Sequence, residues 1–187
     1  MRRFALAMLV LILTGASVRA QDPQLKGLAA LSRELSARIA PRDDPLELDI
    51  FIPADGLDDL AGTWSTFGTQ HKFQNGTPNP VNMVIMQAAL SGFAASLGES
   101  CATPQLSFHP QFLEILRNLC KWPAASAKAD AVMRGFWVSI MGYDAPMQEY
   151  DAWRSFMRRE YGERPAAETI EAMTLAITMN PYFLMDK

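Results

Sequence analysis

The run from Val81 to Leu97 constrains the fold more than any other stretch. It follows Asn79-Pro80, a good N-cap with proline at the first helical position. It is apolar on most faces, including Val84, Ile85, Ala88, Ala89, Gly92 and Phe93. A helix apolar all round must be surrounded, so this segment predicts a central helix inside a bundle. Small residues at 88, 89, 92, 94 and 95 let neighbouring elements approach closely, and Gly98 is expected to end the helix.

The flanking sequence supplies the elements to surround it. Leu25, Leu28, Leu35 and Ile39 recur at helical spacing within Gln24–Ala40, which Pro41 stops. Pro110 opens a helix with Phe112, Ile115, Leu116 and Leu119 inward, closing near Trp122-Pro123. Ser126 is expected to cap the next, with Met133, Phe136, Trp137 and Ile140 apolar and Gly142 as its stop. Asp144-Ala-Pro146 starts another, carrying Tyr150, Trp153, Met157 and Tyr161. Pro165 starts the last long one, and after Asn180-Pro181 the segment Tyr182–Met185 packs back. Proline at starts and glycine at stops is the expected asymmetry. Leu46–Ile52 alternates with period two and reads as a short extended piece without a partner strand. The fold class is therefore all-α: an irregular bundle of about six helices, with a long ordered loop before the central one.

The first residues read as an export signal. A basic Met1-Arg-Arg3 precedes an apolar stretch from Phe4 to Thr14, then small residues at 18 and 20. The apolar stretch is shorter than the ~20 residues a bilayer span requires. The expected division is a signal peptide at 1–20 and a single helical domain at 21–187. The whole chain has 17 basic and 20 acidic side chains. Loss of Arg2, Arg3 and Arg19 makes the remainder more acidic still. That balance argues against nucleic acid and anionic membrane surfaces, both of which need a basic footprint. No second long apolar run follows, so no integral membrane segment is expected. Cys101 and Cys120 are the chain's two cysteines. In an oxidising compartment such a pair reads as a disulfide closing a loop of ~20 residues. The expected location is periplasmic or secreted.

Residues 62–79 are the stretch that packing explains least. Trp64, His71, Lys72, Asn75, Asn79 and Asn82 form the candidate ligand- or partner-binding set. His71 titrates near neutrality in its unperturbed state, which suits a base, a metal ligand or a proton switch. Asn75-Gly76 favours a tight turn, and the N–H groups after Asn79 can receive an anion, although Pro80 removes one donor. Met83 and Met86 stand at helical spacing, and thioethers can hold Cu(I) in the periplasm. They also suit a core, where methionine is ordinary filler. His109, before Pro110, reads as a capping residue. The acidic residues from Asp43 to Asp59 do not follow a calcium-loop spacing. No catalytic motif built on Gly-x-Ser-x-Gly, Ser-x-x-Lys, a zinc-type His pair or a phosphate-binding glycine loop is present. No catalytic residue and no cofactor is assigned.

Toward the end the sequence runs Phe136-Trp-Val-Ser-Ile-Met-Gly-Tyr-Asp-Ala-Pro146, Glu149, Trp153, then Glu171-Ala-Met173 and Asn180-Pro-Tyr-Phe-Leu184. This segment, under a third of the chain, resembles uncharacterised helical domains found beside c-type cytochromes in secreted bacterial proteins. The resemblance implies an exported helical accessory domain and carries over no catalytic residue. The expected function is an exported binding or accessory protein acting with another exported protein. The alternative is a periplasmic small-ligand or copper carrier, and a third reading is an enzyme using carboxylates or His71.

Overall fold

The computed structural model describes residues 26–51, 80–103 and 107–185, with the backbone alone at 80–82. Its elements are α1 (Leu28–Ile39), a 3-10 turn (Leu48–Phe51), α2 (Pro80–Glu99), α3 (Pro110–Lys121), α4 (Ala129–Met141), α5 (Met147–Tyr161), α6 (Ala166–Thr178) and the single-turn α7 (Pro181–Leu184). No β-strand occurs among the described residues. The protein is all-α, as the periodicity requires.

The apolar helix α2 is central. Ile85, Met86, Ala89, Leu90, Phe93, Ala94 and Leu97 are all buried, and they belong to one core with α1, α3, α4, α5 and α6. Its most extensive pairing is with α6, and it also packs on the 3-10 turn. Two glycines permit these approaches. A Cβ at Gly92 would stand 2.5 Å from the Phe51 carbonyl oxygen, and one at Gly98 2.6 Å from that of Ala167. Gly98 therefore does not end α2, which continues to Glu99. It is a contact point where the first turn of α6 presses on α2. On α6, Thr174 and Thr178 are fully buried. Their hydroxyls donate to the carbonyls of Ile170 (2.7 Å) and Thr174 (2.9 Å), so these polar groups are satisfied within the helix.

Gly142 does act as a stop. It adopts φ 78° and its N–H donates to the Val138 carbonyl at 2.8 Å, closing α4 through a left-handed residue. The start of α4 differs from expectation. Ser126 caps a preceding turn, accepting from the Lys128 N–H at 3.2 Å, and the helix itself begins at Ala129.

The alternating segment Leu46–Ile52 is not an extended piece through its described length, because Leu48–Phe51 forms the 3-10 turn. Serines on α1 take the place of a partner strand. The Ser36 hydroxyl accepts from the Leu46 N–H (2.8 Å) and donates to the Leu46 carbonyl (3.0 Å), and the Ser32 hydroxyl accepts from the Leu48 N–H (3.0 Å). Serines four residues apart share one helix face, so they hold the strap along α1 and bury Leu46 and Leu48.

Cys101, just past α2, and Cys120, near the end of α3, form a disulfide across a separation of 19 residues. His109 fastens α3 to α1 through its backbone rather than its side chain. Its N–H donates to the Ile39 carbonyl at 2.8 Å, and its side chain makes no capping bond.

Candidate functional site

Trp64, His71, Lys72, Asn75 and Asn79 lie outside the described residues, as does the Asn82 side chain. Met86 is buried in the core and Met83 is partly buried against it. Among the described residues, no three His, Cys, Asp or Glu side chains converge on a metal-sized space.

The structure brings together a different set. A cavity of about 280 Å³ opens between the residues before α1, the end of α4 and the α7 turn. Lys26, Glu34, Arg38, Met141, Tyr143, Tyr182, Phe183 and Met185 line it. Each is placed by a local device. Glu34 and Arg38 are one helical turn apart on α1 and share a face. Lys26 is held by its own backbone, whose N–H donates to the Leu184 carbonyl at 2.8 Å. Gly142 turns the chain so that Tyr143 follows directly on α4. It also makes room for Arg38, because a Cβ there would lie 2.6 Å from the guanidinium Nε. Asn180 caps α7 by accepting from the Tyr182 N–H (2.9 Å), while its side-chain amide donates to Glu149 on α5 (2.8 Å).

The cavity's electrostatics centre on Glu34. Lys26 Nζ stands 2.9 and 3.0 Å from its two oxygens, and Arg38 Nη2 donates to it at 3.1 Å. Arg38 Nη1 donates to the Ile140 carbonyl at 2.6 Å, which locks the guanidinium against the end of α4. Lys26 Nζ also lies 5.9 Å from the centre of the Phe183 ring, within cation–π range. Burial pushes the Tyr143 phenol up, helped by Glu149 and Tyr182 and opposed by Arg38, so it is neutral at ordinary pH. Two cations face one carboxylate. The lining side chains thus carry one net positive charge, with Glu149 close enough to act on Tyr143.

Two other features are structural. A groove of about 560 Å³ runs beside Leu28, Ser32, Ser36, Leu46 and Asp49, formed where the strap lies along α1. On the far side, Asp130 of α4 meets Arg158 (3.1 Å) and Arg154 (3.6 Å) of α5, and the buried Tyr150 hydroxyl donates to the Asp130 carbonyl at 3.0 Å. Trp137, Tyr150 and Trp153 pack there with ring centres 5.2 to 6.4 Å apart. These contacts join α4 to α5.

No family model matches the chain, and no curated protein or solved structure matches it either. No helix among the described residues is long and apolar enough to cross a membrane.

Proposed function

We propose that this is an exported helical binding or accessory protein that acts with another exported protein. The observation that carries the reading is the Cys101–Cys120 disulfide, because such bonds persist in oxidising compartments and are rare in the cytosol. The signal-like pattern at 1–20 agrees with it, as does the resemblance of the C-terminal segment to accessory domains of secreted proteins. The partner-facing surface is assigned to the stretch around Trp64, His71, Lys72 and Asn75, where an aromatic, a histidine and turn residues stand together in sequence.

Intact-mass measurement of protein recovered from its host's envelope tests the export half. The expected mass is that of residues 21–187 less two hydrogens. A chain retaining Met1, or carrying two free thiols, overturns export. A photoreactive residue at position 72 tests the partner half. It is expected to cross-link a second exported protein, whereas the same position yielding no cross-linked partner rejects that surface. His71→Ala and Lys72→Ala are expected to leave stability nearly unchanged. The carrier reading remains the second proposal on the strength of the polar cavity, whose wall of Lys26, Arg38 and tyrosines differs from the methionine site first expected for copper.

A further inference from the structure

We propose that the cavity beside α7 is a binding site for a small organic carboxylate, whose head sits on Lys26 and Arg38 and whose apolar body lies against Met141, Phe183 and Met185. The inference is independent of export and of any protein partner. Three observations carry it. First, the charge is unbalanced in one direction: Lys26 and Arg38 share Glu34, so one further negative charge would complete the set. Second, the guanidinium is already oriented. Arg38 carries five N–H donors in a rigid fork, and its recorded bonds, to Ile140 and Glu34, use two of them. A planar carboxylate matches the donors that remain. Third, apolar side chains share the lining with the cations: Lys26 Nζ lies 5.9 Å from the centre of the Phe183 ring, and Met141 and Met185 also line the cavity.

Size and charge narrow the class. About 280 Å³ falls just under the range of ~300–1,000 Å³ for pockets that hold drug-sized ligands, so a single ring with a carboxylate fits within it with room to spare. A dianionic phosphate would bring a second negative charge beside Glu34 with no cation to meet it. A cationic ligand would have to displace Lys26 or Arg38 from their shared carboxylate.

Benzoate is the probe, with benzyl alcohol as its neutral counterpart. Each is titrated into the disulfide-bonded protein and followed by calorimetry and by amide shifts in nuclear magnetic resonance. Benzoate is expected to bind about tenfold or more tighter than benzyl alcohol, the scale of one charge-assisted hydrogen bond, with shifts at Gly142 and Tyr182. Lys26→Met is expected to weaken benzoate about tenfold without changing benzyl alcohol. Glu34→Gln removes the competing carboxylate and keeps both cations, so it is expected to tighten benzoate severalfold. That variant keeps the test decisive if Lys26→Met fails to fold. Equal affinity for the two probes overturns the proposal. So does a Glu34→Gln protein that binds benzoate no better than the parent, or shifts confined to other parts of the chain.

Discussion

Gly98→Ala sets two physical effects against each other. Alanine is favoured over glycine within a helix by ~1 kcal/mol, so propensity alone predicts a more stable protein. Packing predicts the opposite. The new Cβ would lie 2.6 Å from the Ala167 carbonyl oxygen and 3.3 Å from its carbon. Both are backbone atoms of α6 and cannot swing aside as a side-chain tip can. Accommodation requires α2 and α6, the most extensive helix pair, to separate. Overpacking of a well-filled core costs ~1–3 kcal/mol, and backbone collision belongs at the upper end. The net expectation is a loss of about 2 kcal/mol, or a fall in Tm of about 4–8 °C for a chain of this size. Gly135→Ala is the control. It lies within α4, and its Cβ would meet only the Ile115 side chain, at 3.3 Å from Cδ1 and 3.7 Å from Cγ1. Ile115 is half-buried and its tip can move by a few tenths of an ångström. Propensity should win there, with a gain of about 0.5 kcal/mol. Thermal and urea unfolding of the parent and the two variants decide the matter. If Gly98→Ala is neutral or stabilising, the close approach of α2 and α6 is not what that glycine provides.

Three further predictions follow from named contacts. Ser36→Ala leaves both backbone polar groups of the buried Leu46 without their partner; it should cost about 2–3 kcal/mol in urea unfolding and speed hydrogen exchange at the Leu46 amide. Replacing Cys101 and Cys120 together by serine should lower stability by about 3 kcal/mol, the chain-entropy value for a loop of this length, and reducing agent should then have no further effect. Tyr150 is pushed up to about 12, first by burial and then by the charge of Asp130, while a tyrosine in the unfolded chain ionises near ~10. The unfolded state therefore releases this proton first, so the Tyr150 contribution is complete below about pH 10 and is lost as pH rises through about 12. Tyr150→Phe should flatten that part of the stability–pH curve. It should also cost about 1 kcal/mol near neutrality, for the lost hydrogen bond to the Asp130 carbonyl.

What the sequence discloses depends on how locally each signal acts. Pro110 and Pro181 open their helices, and Pro146 and Pro165 stand immediately before theirs. Proline acts on its own dihedral angle and its own missing N–H, so a single position suffices to read it. Glycine is different, because one residue type answers two demands. Gly142 ends α4 through a positive φ, whereas Gly98 lies inside α2 because a neighbour needs the space of a Cβ. Only the position of Ala167, some 70 residues later, separates the two cases. The strap at Leu46–Phe51 shows the same limit. Its alternating pattern is real, but its backbone is satisfied by hydroxyls on α1, and a serine gives no sequence sign that it will bond a strap rather than water. The cavity beside α7 lies further still from local reading. Glu34 and Arg38 alone look like any exposed pair one helical turn apart. They become a site when Gly142 clears room for the guanidinium, when Lys26 is tied by its N–H to Leu184, and when Tyr143 and Tyr182 arrive from two other segments. Composition pointed instead to the stretch around His71, because histidine and lysine in a polar loop are conspicuous one at a time. A site assembled from ordinary residues shows itself only through the fold that assembles it, and so Glu34→Gln, at a position that would pass in sequence as a surface acid, is the substitution expected to tighten a carboxylate.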